Sequence, residues 1–309
     1  MLIRTTLLIV ISVVAVFFII GWILSAKTQR VDDTATTRKP TLLHLVIGFV
    51  TDLFDTLGIG WFALTTTVYK MFRVVPDERI VGTMLMGHSL PVVVQAFIFL
   101  VIVQVDPVVL VSLIAVSILG SWLGAGVASR LPRRPIQLCM AVGLLAAALF
   151  MVLSKVGVLP GGGTALTLTS GRLVIALVAN FFLGGLLMLG IGNYAPSLVL
   201  FSLLGMDTRA AFPIMMSSGA MMAMIGGLRF SKAGRFDTRA ALGLTLGGIP
   251  GVLVAGLLVR SLPLNVLQWV VVVVVVYAAS MMLRSAMSER RAALAPAETL
   301  VPPSVPATV

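Results

Sequence analysis

The chain has 309 residues, 59% of them hydrophobic and 11% charged, with a mean hydropathy of +1.11. That balance excludes an ordinary soluble domain, and the formal charge of +11 gathers in short stretches between apolar runs, as membrane topology requires and a nucleic-acid surface does not. The single cysteine, Cys139, excludes a disulfide framework or a cysteine metal site, and two scattered histidines lack zinc-protease spacing.

Apolar runs recur at the roughly 20 residues that one helical crossing of the hydrocarbon needs. They lack the two-residue alternation of a membrane barrel, so helices are the remaining way to satisfy the backbone away from water. The first run, Leu7 to Leu24, exceeds the ~7–15-residue core of a signal peptide. It reads as a retained anchor helix, although Leu24-Ser25-Ala26 would pass as a cleavage site. A polar linker completes residues 1–40.

A first membrane repeat is expected over 41–155, with a glycine-interrupted segment at 42–72 and plain spans at 80–103, 107–128 and 135–153. A loop at 156–171 leads to a second repeat over 172–284. It has an interrupted segment at 172–204 and spans at 210–228, 240–259 and 264–283. Residues 285–309 are charged and then Ala- and Pro-rich, which predicts a disordered cytoplasmic tail.

The repeat rests on Leu-Gly-Ile-Gly at 57–60 and again at 189–192, an offset of 132. Leu45, Val46 and Phe49 match Leu177, Val178 and Phe181 at that offset, as Ala63 matches Ala195. After the loss of one residue, Asp106, Gly120, Leu131-Pro132 and Gln137 match Asp237, Gly251, Leu262-Pro263 and Gln268. Duplicated bundles with broken helices are characteristic of secondary transporters, whose sites lie between the halves.

Basic residues decide how each broken segment lies. A single crossing divides the 22 Lys and Arg nearly evenly between the two faces, whereas two hairpins bring Lys70, Arg73, Arg79, Arg130, Arg133 and Arg134 to the linker side. The positive-inside bias selects hairpins. A hairpin plus three spans reverses the membrane side between copies, so the expected fold is all-α, with two inverted repeats, each a glycine-broken hairpin plus three transmembrane helices. Residues 42–72 would be about 46 Å long as one helix at 1.5 Å per residue, more than a crossing needs. Gly58, Gly60, Gly190 and Gly192 mark the bends.

The first arm carries His44, Asp52 and Asp55 on one face; Asp55 falls about 20° and Asp52 about 80° around from His44. Ionisable groups inside a span are costly and face a bundle interior or a wet cavity. Asp52 and Asp55, with His88 in the next span, are candidates for handling protons or a coupling ion. Their other reading is structural, as ties within the hairpin. The second copy has Gly184 and Leu187 in place of the two carboxylates. Helix starts after the breaks, at 61–65 and 193–197, present N–H groups and a positive dipole end suited to an anion. Thr65, Asn193 and Ser197 add neutral donors, making Gly58, Gly60, Thr65, Gly190, Gly192, Asn193 and Ser197 the candidate substrate residues.

The paired Gly-x-Gly breaks, Pro196, Leu204-Gly205-Met206, Pro213-Ile214, Ser217-Ser218-Gly219 and the two Leu-Pro turns together resemble the sulfite exporter TauE/SafE family of membrane permeases over about residues 41–284. The resemblance implies a multi-pass protein of the cell (inner) membrane that moves sulfite, an organosulfonate or a related small anion. On this reading the partners are that solute, the bilayer and, in some arrangements, a second copy. No cofactor, metal or nucleic acid is called for, and no nucleophile–base pair marks an enzyme. Two other functions remain open: a cation transporter using the carboxylates as ligands, and a non-transporting assembly factor.

Overall fold

The computed structural model describes residues 2–29, 39–57, 60–127, 163–188 and 192–259, with isolated residues between 128–162 and 260–287. The expected spans at 135–153 and 264–283, the tail, Gly58 and Gly190 lie outside these. The described chain is helical: α1 Leu2–Gln29, α2 Leu42–Thr56, α3 Trp61–Phe72, α4 Asp77–Ile102, α5 Pro107–Val127, α6 Ser170–Met188, α7 Tyr194–Leu203, α8 Thr208–Lys232 and α9 Thr238–Val259. Six of them, α1, α4, α5, α6, α8 and α9, are long and apolar enough to cross a membrane. α2, α3 and α7 are shorter, about 22, 18 and 15 Å at 1.5 Å per residue, against ~30 Å of hydrocarbon.

Local chemistry sets the ends. Asp106, Asp207 and Asp237 each accept from backbone N–H groups in the first turn of α5, α8 and α9, at 2.8, 2.7 and 2.7 Å. At the start of α2, Thr41 N–H donates to Nδ1 of His44 at 3.2 Å, so the histidine does a capping residue's work. α3 ends at Arg73 with a left-handed φ of 50°, and α7 is followed by Gly205 at φ 84°. Matching bonds close the two turns, Val74 N–H to Tyr69 O (3.1 Å) and Met206 N–H to Phe201 O (3.0 Å). These pairs keep the offset of 132, while α4 and α8 begin at Asp77 and Thr208, an offset of 131. The missing residue therefore falls in the turn after Val74.

Contacts between α4 and α8 run head to tail: Leu85 lies by Gly226, Val92 by Gly219, and Phe99 stacks on Phe212. Around this central antiparallel pair each broken segment packs on a helix of the other half. A Cβ at Gly251 of α9 would strike the carbonyl of Phe49 on α2, and one at Gly120 of α5 would strike that of Phe181 on α6. By the sequence offsets of 131 and 132 these are corresponding positions, exchanged between the expected repeats. The same exchange recurs where Leu244 meets Gly48 and where Leu113 O accepts from Asn180 Nδ2 at 2.9 Å.

Residue pairings also give helix directions. Gly243 meets His44 and Gly251 meets Phe49, so α2 runs parallel to α9. α9 is in turn parallel to α4, with Gly87 against Ala241 and Ile98 against Gly256. α2 and α4 thus run the same way, and α3, whose Thr66 reaches Met84 while Trp61 lies on His88, comes back between them. By the same reasoning α6, parallel to α5, runs with α8 and against α4. α6 is longer than a short hairpin arm: it begins at Ser170, two residues before the expected start, and spans 19 residues. α1 packs against α8 and α4, with Gly21 against Leu228 and Arg4 donating to Val103 O at 3.0 Å. The helix continues beyond Ala26.

Candidate functional site

The two breaks meet. A Cβ at Gly60 would lie 3.3 Å from Tyr194 Cβ, and one at Gly192 would lie 3.1 Å from Phe62 Cβ. Gly60 adopts φ 73°, a conformation glycine reaches without a Cβ clash, and this turns the chain from α2 into α3. The starts of α3 and α7 are thereby brought together inside the bundle, with Trp61, Phe62 and Tyr194 buried.

Around the first break lies a fully enclosed polar network. Asp52 and His88 are both 0% exposed. His88 Nδ1 lies 2.9 Å from each carboxylate oxygen of Asp52 and donates to them. The other ring nitrogen, Nε2, is 3.0 Å from Thr65 Oγ1. With neutral imidazole the Thr65 hydroxyl donates to Nε2; with imidazolium Nε2–H donates to the hydroxyl, so rotation of one O–H accommodates both states. The Trp61 ring stacks on the imidazole at 4.5 Å and fixes its plane.

Asp55 sits one turn further along α2. Its Oδ1 accepts from Trp61 N–H at 3.0 Å, across the break, and its Oδ2 accepts from Gln95 Nε2 at 2.7 Å. A carboxylate therefore occupies the positive end of α3. Gln95 also donates to Thr56 Oγ1 (2.9 Å), whose hydroxyl donates to Asp52 O (2.8 Å). Gly248 of α9 leaves space for the Asp52 carboxylate, since a Cβ there would fall on Oδ2.

Of the residues expected from sequence, Asp52, Asp55, Thr65 and His88 lie in this network, and Gly60, Gly192 and Asn193 lie at the junction of the breaks. His44 shares their buried face but serves the start of α2. Asn193 precedes α7 without capping it through its side chain. Ser197 is 1% exposed, and its hydroxyl has no hydrogen-bond partner among the described residues. The expectation of free N–H groups at both helix starts needs correction for α3, where Asp55 takes the N–H of Trp61. Sequence reasoning missed Gln95, Thr56 and the stacking role of Trp61. Gln95 had a signal: it lies seven residues after His88, on the same helical face.

The model of the family described as Sulfite exporter TauE/SafE matches residues 1–151 and 173–308. The chain belongs to this family. The match takes in the anchor helix and tail, both of which the sequence resemblance had left outside. No curated protein matches the chain, and no solved structure does. As a TauE/SafE member with six helices fit to cross a bilayer among its described residues, the protein is a multi-pass membrane transporter rather than an enzyme.

Proposed function

We propose that this TauE/SafE transporter moves a small anion such as sulfite, an organosulfonate or a related organic acid, and couples that movement to protons through Asp52, Asp55 and His88. The observation that carries the reading is the meeting of the two glycine breaks beside a buried carboxylate–imidazole pair. The start of α7 supplies N–H groups and a positive dipole end for an anion, beside the start of α3, which already holds the Asp55 carboxylate. The Asp52–His88–Thr65 chain supplies a carboxylate–imidazole pair that can hold a proton beside the break, and its exchange with either face requires the enclosed network to open to water.

The architecture of this reading is two inverted repeats, 41–155 and 172–284, joined by 156–171, with an anchor and linker at 1–40 and a cytoplasmic tail at 285–309. Opposed directions of α4 and α8 and the exchanged glycine contacts support it. The bilayer is the inner membrane. Lys39, Arg73, Arg79, Arg229, Lys232, Arg235 and Arg239 lie at one end of the bundle and face the cytoplasm, following the positive-inside bias.

Cation transport is less favoured by the geometry. Both oxygens of Asp52 face His88, and both of Asp55 are held by Trp61 N–H and Gln95, so neither carboxylate offers a free oxygen as a ligand. An assembly factor would show no solute flux at all.

The test is transport of sulfite and methanesulfonate into proteoliposomes across a pH series. Asp52→Asn and His88→Gln are expected to flatten the dependence of rate on pH. A profile that keeps its shape in both variants removes the proton role, and absence of anion flux in the unaltered protein removes the transport reading.

A further inference from the structure

The network around the first break has no partner in the second, although the scaffold repeats. Thr65 corresponds to Ser197 at the offset of 132, and His88 corresponds to Gly219 at the offset of 131 that holds after Val74. Asp52, Asp55 and Gln95 correspond to Gly184, Leu187 and Gly226. Where Thr65 finds an imidazole 3.0 Å away, Ser197 finds nothing: its hydroxyl is buried and without a partner among the described residues. A Cβ added at Gly219 would make only ordinary contact, 3.5 Å from Val92 Cγ1, whereas one at Gly226 would be 2.7 Å from Met188. A small side chain therefore fits where the first half holds the histidine.

The helix starts differ in the same sense. α3 has the Asp55 carboxylate bound to the N–H of Trp61, an anion supplied by the chain itself. α7, ten residues long, has no side-chain cap among the described residues and no acidic residue in its first turn. Ser197 lies in the first turn and a half of α7, where side chains project back toward the helix start. Its buried, unpartnered hydroxyl therefore leans toward the start of the helix.

We propose that the transported anion binds at the second break alone, held by the start of α7 and the Ser197 hydroxyl, with Gly219 at the position that corresponds to His88, while Asp55 fills the equivalent place at the first break. This deepens the anion-permease reading and rests on it. The site takes a small oxyanion headgroup, sulfite or a sulfonate, that accepts hydrogen bonds from N–H and O–H. An unsatisfied buried hydroxyl is costly, and an oxyanion acceptor relieves that cost in the bound state. The division of labour follows: one half of a duplicated scaffold binds the solute and the other carries the ionisable network.

Binding of sulfite and of methanesulfonate to the purified full-length protein, followed by calorimetry, tests this. Ser197→Ala, which removes one oxygen, is expected to weaken affinity by about tenfold or more, the loss of one hydrogen bond to a charged ligand. Gly219→Val, which puts a branched side chain where the first half holds His88, is expected to weaken affinity at least as much. Ser231→Ala, removing another buried hydroxyl at the far end of α8, should leave affinity within about twofold, a difference too small for a lost charged hydrogen bond. Saturable binding that Ser197→Ala leaves intact overturns the subsite while the anion reading stands. No saturable binding of either probe to the unaltered protein overturns the anion reading and the subsite with it. If Gly219→Val does not fold, Ser197→Ala decides alone.

Discussion

Gln95 joins two acceptors with one amide nitrogen, Asp55 Oδ2 and Thr56 Oγ1, inside a region closed to water. Gln95→Leu keeps the volume close but leaves a buried carboxylate oxygen without its donor. Such a group costs about 1–3 kcal/mol when unsatisfied, and more when charged. The expected result is a clear fall in the thermal midpoint of the purified protein and a loss of transport. Gln95→Glu should be worse, since it sets a second carboxylate against Asp55. An unchanged midpoint in Gln95→Leu would mean the amide holds nothing in place. At this scale the sequence was informative about residue types and poor about partners. Asp52 and His88 stood out because ionisable groups are rare in spans, but a pairing across 36 positions has no periodic trace. Asp55 and Trp61 are close in sequence, yet their bond depends on the turn at Gly60, whose angles no composition reveals.

Helix pairs are held together here by backbone approach rather than by large side chains. Gly48, Gly247 and Gly251 bring α2 and α9 into contact, while Gly120, Gly124 and Gly184 do the same for α5 and α6. Without a hydrophobic driving force between helices in lipid, close packing of small residues is the main source of attraction. Gly251→Val and Gly120→Val place a branched side chain against the Phe49 and Phe181 carbonyls, respectively. Each is expected to destabilise by about 1–3 kcal/mol or more, the usual cost of overpacking. Because the two contacts are equivalent, the drops in thermal midpoint should be similar; a drop confined to one would deny the equivalence. Gly248→Ala presses on the Asp52 carboxylate and Pro91. Its expected signature is altered pH dependence of transport, together with a lowered thermal midpoint. The glycines were visible in sequence as breaks and packing motifs, and the bounds of the described helices lie close to the apolar runs. Which helix each would touch was not visible, because the contacts cross between halves and local pattern carries no information about a distant partner.

The whole molecule is held to one sidedness by its helix directions. α2 leaves from the end that holds Lys39, α3 returns to Arg73, and α4 starts again at the same end. Arg239 Nε donates to Lys39 O at 2.8 Å, tying the start of α9 to that end as well. Arg172 and Arg209, at the starts of α6 and α8, lie at the other end, because both helices run against α4. All four side chains, Lys39, Arg73, Arg172 and Arg209, are exposed and open to reagents. With Cys139, the only native cysteine, replaced by serine, single cysteines at these positions report sidedness directly. An impermeant maleimide added to intact cells should label Arg172→Cys and Arg209→Cys but not Lys39→Cys or Arg73→Cys, and inverted vesicles should give the reverse pattern. The reason for expecting this is electrostatic: Arg73, Arg79, Arg229, Lys232, Arg235 and Arg239 gather at one end, and the positive-inside bias favours keeping such an end in the cytoplasm. Labelling of Lys39→Cys and Arg73→Cys from opposite faces would mean that α2 and α3 cross as one helix. The start of α3 could not then face the start of α7, and the polar network beside Gly60 would lose its place between the halves.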